Sequence, residues 1–174
     1  MVYKMELYVD GGCRHNGYSD AIGAAAIGFK TPRGGFQDCA TEALPTNPTP
    51  TNQRAELSAI ILALKKALEK RRELYNNPEL EVTIYSDSRY AVGCMMEWAD
   101  RWQQNEWHNS RGEKVANRRL IKEALGLESE LMENGNLRYL YIPRERNRYA
   151  DRLCNECLDE QEQQSNNDWS DSDW

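Results

Sequence analysis

The sequence predicts a mixed α/β fold, a β-sheet with helices packed on its faces. Three observations lead there. Short apolar stretches with strand character recur at residues 3–9, 22–29, 80–86 and 136–143. From Gln53 the pattern changes period, and Leu57, Ile60, Ile61, Leu64 and Leu68 recur at helical spacing. The resulting order, β-β-β-α-β-α-α-β-α, is that of a mixed sheet with helices on its faces.

The first strand, YKMELYV, ends in Asp10, and a Gly-rich polar loop is expected after it. The second, IGAAAIGF, is rich in small residues. A third is expected within residues 34–44, joined by the turn signal Thr31-Pro32-Arg33-Gly34. The Pro-rich PTNPTPTN reads as a loop. Asn52 is the expected N-cap of the long helix, and Asn76-Asn77-Pro78 its stop. LEVTIYS, with its β-branched residues, is the fourth strand. A helical stretch is expected from Ser88, a further strand at NLRYLYIP, and a last helix through Ala150, Leu153 and Leu158.

The 174 residues suit one domain with a short extension. No apolar run approaches the ~20 residues that span a bilayer, and the N-terminus carries no signal-peptide pattern. A cytoplasmic or nuclear protein with no membrane partner is expected, and five cysteines do not suggest a disulfide framework. The net charge of −6 is unevenly spread. Residues 155–174 hold seven acids and no Lys or Arg, which leaves 22 basic and 21 acidic residues elsewhere. The expected division is therefore a folded domain over 1–158 and an acidic, disordered tail over 159–174.

Four carboxylates fall where chain elements meet. Asp10 ends the first strand, Glu56 lies in the first turn of the long helix, Asp87 ends the fourth strand, and Asp151 lies near the start of the last helix. Strand ends and helix starts can converge at one rim of an α/β sheet. Four acids meeting there repel one another, and hard divalent cations bound through oxygen, Mg²⁺ or Mn²⁺, remove that cost. Such a cluster suits two-metal phosphoryl chemistry. Each acid taken alone has a plainer reading: Asp10 as a turn residue, Glu56 as a helix-dipole partner, Asp87 as an N-cap, Asp151 as an exposed helix acid.

The segments YVDGGCRHNG, TNQRAEL, IYSDS and NRYADRL, in this order, resemble ribonuclease H type 1 over about residues 5–158. The resemblance implies an RNase H-like fold, a five-stranded mixed β-sheet flanked by α-helices. It implies an endonuclease that hydrolyses the RNA strand of RNA–DNA hybrids, with Asp10, Glu56, Asp87 and Asp151 binding two Mg²⁺ ions and Asp10 bridging them. Asp10 and the other three acids would then be the catalytic set. It further implies RNA-strand contacts from Cys13, Asn16, Asn52 and Gln53, where 2′-hydroxyls are read.

Residues 98–122 contain three tryptophans and the basic residues Arg101, Arg111, Lys114, Arg118, Arg119 and Lys122. Phosphate neutralisation beside aromatic surfaces is a nucleic-acid footprint, although Trp102 and Trp107 read better as core. By resemblance, Tyr90, Trp98 and Ser110 lie on the DNA-strand channel, and Thr51 and Asn117 on a DNA phosphate pocket. Thr49 stands where many animal members carry Arg.

The chain departs from the family before Asp151. Many members have a histidine in a longer loop there, whereas this chain has IPRERNRYAD and its histidines, His15 and His108, lie elsewhere. The short loop resembles a second branch of the family. Arg144, Arg146 and Arg148 read as solvated basic surface, and Cys154 and Cys157 as helix residues near the core. Two other readings remain open on sequence: a catalytically silent hybrid-binding module, and the nuclease domain of a retroelement polyprotein. A monomer is expected. No separate hybrid-binding domain is expected ahead of the first strand, and processivity is expected to be low.

Overall fold

A computed structural model describes residues 1–171, with side chains through Trp169. Its five strands are β1 (Val2–Arg14), β2 (Ile22–Lys30), β3 (Phe36–Ala43), β4 (Glu79–Ser86) and β5 (Gly135–Tyr141), in the sheet order β3-β2-β1-β4-β5. β1, β2 and β3 form an antiparallel meander. β4 lies parallel to β1, and β5 parallel to β4. A parallel neighbour requires a crossover. Helix α1 (Asn52–Glu73) makes the first, and α2 (Arg89–Gly93), α3 (Ala99–Gln104) and α4 (Arg118–Met132) make the second. Helix α5 (Arg148–Asp171) follows a 3₁₀ turn at Arg144–Arg146. The expected element order is observed, except that the first of the two helices expected between β4 and β5 is divided into α2 and α3.

The main core lies between the sheet and α1, where Leu57, Ile60 and Leu64 meet Leu7, Val9, Ile27 and Ile84, all fully buried. Each such side chain contributes about 1.5–3 kcal/mol relative to exposure. A smaller cluster, Ala24, Ala26, Cys154, Cys157 and Leu158, seats α5 on the sheet. Alanines on β2 let helices approach both faces. Cys154 and Cys157 are buried free thiols in that cluster, as the core reading requires.

Four local expectations differ from the structure. The Gly-rich loop after Asp10 is strand: β1 runs on to Arg14, with Gly11 opposite Ala25 and Cys13 opposite Gly23 on β2. Thr51, not Asn52, caps α1, its Oγ1 accepting from the Arg54 N–H at 3.2 Å. Glu56 is thus the fifth helical residue, beyond the first turn and its dipole. The helical stretch after Ser88 is interrupted by a π-helical turn at Cys94–Trp98. That turn lays the Trp98 ring on Gly93, where a Cβ would come within 2.8 Å of it.

The fourth difference concerns the acidic tail expected to be disordered from residue 159. Helix α5 continues through it to Asp171. Glu and Gln are good helix formers, and the extension has tertiary partners that composition does not reveal. Arg14 Nη1 lies 2.7 Å from Asp159 and 2.9 Å from Glu162. Gln161 Nε2 donates to the Gly23 carbonyl at 3.0 Å. The end of the expected tail, Asp173 and Trp174 included, lies outside the described residues. Among the described residues no helix is long and apolar enough to cross a membrane.

Candidate active site

The parallel register of β1 and β4 sets Val9 opposite Ser86, so Asp10 on β1 and Asp87 just past the end of β4 stand at the same rim. Glu56 reaches them because Gly11 has no side chain. A Cβ there would collide with the backbone of Ala55 and Glu56, so only glycine lets α1 lie this close to β1. One carboxylate oxygen from each of Asp10, Glu56 and Asp87 falls within 4.8 Å of the others. Asp151, in the first turn of α5, lines the same cleft and pairs loosely with Arg144 at 3.7 Å. It lies outside the three-residue group.

Burial and mutual repulsion dominate the electrostatics. Burial, then the charges of Asp87 and Asp151, push Asp10 up to about 8. Burial, then Asp10 and Asp87, push Glu56 up to about 9. Burial also raises Asp87, while the Asn147 amide and the Arg144 charge pull it back. Glu56 Oε2 is buried with no hydrogen-bond partner among the described residues. Buried carboxylates with high pKa values and an orphaned oxygen fit a hard divalent cation, which takes oxygen ligands and removes the repulsion.

Asn147 is a residue that pattern reading missed. It is fully buried, donating from Nδ2 to the Val9 carbonyl at 2.8 Å and to Asp87 Oδ2 at 3.3 Å. Its carbonyl accepts from the Asp151 N–H at 3.1 Å, so it also starts α5. An Asn one residue ahead of a helical stretch is an N-cap signal; its tie to β1 is not legible locally. Arg144 is 80% exposed but stands at the cleft, and its charge lowers both Glu56 and Asp87. Arg146 and Arg148 are exposed, as surface residues should be.

Of the four expected RNA-strand residues, two line this cleft. Cys13 and Asn52 line it, with Cys13 Sγ 3.5 Å from the Pro50 carbonyl. Asn16 Oδ1 accepts from the Asn52 N–H at 3.1 Å, tying the β1–β2 connection to the start of α1. Gln53 is exposed on the first turn of α1. Four of the five expected DNA-strand residues, Tyr90, Trp98, Ser110 and Asn117, are linked on a second surface. Asn117 donates from Nδ2 to the Tyr90 hydroxyl at 3.1 Å. The Tyr90 and Trp98 rings lie 6.3 Å apart, and Trp98 and Ser110 border one groove with Arg101. Thr51 serves as the α1 cap, and no hydrogen bond joins it to Asn117 among the described residues. Trp102 and Trp107 are half-buried against the core.

The RNase H family model matches residues 3–159. A ribonuclease H of Clostridium botulinum is 29% identical over 168 residues, 90% of this chain and 97% of its own. Among solved structures, the N-terminal RNase H domain of a Mycobacterium tuberculosis protein is 24% identical with a TM-score of 0.67, covering 93% of this chain and 98% of its own. A foamy viral protease-reverse transcriptase solved with an RNA/DNA hybrid is 20% identical with a TM-score of 0.69, over 87% of this chain and 19% of its own. Matched over nearly its whole folded length, the chain belongs to the ribonuclease H family.

Proposed function

We propose that this enzyme hydrolyses the RNA strand of RNA–DNA hybrids, using two divalent cations, Mg²⁺ or Mn²⁺, held by Asp10, Glu56, Asp87 and Asp151. The observation that carries the reading is the convergence of Asp10, Glu56 and Asp87 within 4.8 Å, with Glu56 Oε2 buried and unpartnered. When bound, such ions activate a water nucleophile and stabilise the leaving oxygen of a phosphodiester.

The chain's own residues do the rest. Asp10 feels the charges of both Asp87 and Asp151 and would be the carboxylate shared by the two ions. Asn147 holds the Asp87 carboxylate in place through its amide. Arg144 brings a positive charge to the mouth of the cleft, where a substrate phosphate must approach. Cys13, Asn16, Asn52 and Gln53 present small polar groups and backbone to the ribose edge of the RNA strand. Tyr90, Trp98, Ser110, Asn117 and Thr51 take the DNA strand, with aromatic faces against sugars or bases and polar groups to phosphate. One copy of the chain carries every residue named, which supports a monomeric active form.

The test is cleavage of a strand-labelled hybrid, beside matched RNA and DNA duplexes, in Mg²⁺ or EDTA. The reading expects cuts in the RNA strand of the hybrid only, abolished by EDTA. Hybrid binding without Mg²⁺-dependent cleavage would instead favour a silent binding module.

A further inference from the structure

Asp10, Gly12 and Arg14 alternate along β1 and share one of its faces, turned toward α5. Gly12 leaves that face open, since a Cβ there would stand 3.2 Å from Cys154 Sγ and 3.4 Å from Leu158. Arg14 therefore borders the same cleft as the acids, about 13 Å further along the strand. A guanidinium at that place is a natural phosphate contact. In this structure it is already engaged, by Asp159 at 2.7 Å, Glu162 at 2.9 Å and the Asn155 carbonyl at 3.5 Å. Two carboxylates against one guanidinium leave the spot with a net negative charge.

We propose that Arg14, Asp159 and Glu162 determine how tightly the enzyme grips its substrate: the acids of the α5 extension hold the Arg14 charge away from the phosphate backbone. The inference rests on the functional reading above, because it takes the cleft to be the path of a nucleic-acid strand. The clamp is exposed enough to exchange, with Asp159 59% and Glu162 47% accessible at the side chain. The helix does not depend on it for its seat, since Gln161 is anchored to Gly23 and Leu158 to the α5 core cluster. Neutralising the two acids frees Arg14 without removing the extension.

The test is fluorescence anisotropy of a labelled RNA–DNA hybrid, in EDTA to prevent cleavage, across a salt series. Asp159→Asn/Glu162→Gln is compared with the parent chain and with Glu160→Gln/Asp168→Asn. The control makes the same change in net charge on exposed acids of the same helix and leaves the clamp intact. One added phosphate contact steepens the dependence of log Kd on log[salt] by about 0.7–0.9. The clamp variant should therefore bind several-fold tighter at low salt, and lose about threefold of that gain between roughly 50 and 200 mM salt. The control should follow the parent, and adding Arg14→Gln to the clamp variant should restore the parental slope. Equal affinity and slope in clamp variant and parent would overturn the inference. So would an equal gain in the control, which would make the effect one of bulk charge. If no variant binds the hybrid, the parent included, the functional reading fails and takes this inference with it.

Discussion

Asn147 Nδ2 lies 3.3 Å from the Asp87 carboxylate and 2.8 Å from the Val9 carbonyl, so one buried amide joins the ends of two strands to the start of the last helix. Among the described residues no other hydrogen bond holds the Asp87 side chain. Asn147→Ala should lower turnover and weaken divalent-cation affinity about 10- to 100-fold, the usual cost of losing an outer-shell partner. Cation titration followed by calorimetry checks it. Unchanged affinity in a folded variant would show that Asp87 needs no such support.

Gly11 should be intolerant of even one methyl group. Its Cβ would overlap the Ala55 and Glu56 backbone, so Gly11→Ala must push α1 away from β1 and carry Glu56 with it. Overpacking of this kind costs about 1–3 kcal/mol, roughly 2–4 °C of melting temperature per kcal/mol in a chain this size. Thermal unfolding measures the loss, and activity should fall further than stability alone explains.

The acids predict an inverted pH dependence for the metal-free protein. Asp10 at about 8 and Glu56 at about 9 keep protons in the folded chain that the unfolded chain releases near pH 4. Their contribution to stability is full below about pH 4 and is lost as pH rises toward about 9. Divalent cations displace these protons, so stabilisation by Mg²⁺ should grow with pH over that window. Melting temperatures with and without Mg²⁺ at pH 6 and pH 9 check this, the expected gap being wider at pH 9.

Trp98 is half-buried, packed on Gly93, 6.3 Å from the Tyr90 ring and 6.0 Å from that of Trp102. With a face left on the groove, Trp98→Ala should raise KM more than it lowers turnover. Stacking losses of about 1–3 kcal/mol are usual for such contacts. Collapse of the fold by circular dichroism would assign Trp98 to the core instead.

Much of this was legible in sequence because hydrophobic period and chain order are local signals. Leu57, Ile60, Ile61, Leu64 and Leu68 announced α1, and the β-branched run at residues 80–86 announced β4. Asp10, Asp87 and Asp151 stood out in sequence because each falls at the end or start of an element, and Glu56 because the long helix was expected to begin just before it. What sequence hid depends on contacts distant in the chain. Asp10-Gly11-Gly12 reads locally as a turn, yet pairing with β2 keeps it extended to Arg14. Asn147 meets Val9 across 138 positions. The acidic run after Leu158 reads as unstructured until Arg14 and Gly23 supply partners.

On the proposed mechanism Asp10, which feels the charges of Asp87 and Asp151, would bridge the cations that cut RNA. This bridging is tested most directly by Asp10→Asn, which removes the charge and almost no volume. Cleavage of a strand-labelled hybrid in Mg²⁺ is measured beside hybrid binding in EDTA. RNA-strand cleavage should be abolished while binding is retained. Near-normal turnover in Asp10→Asn would contradict it.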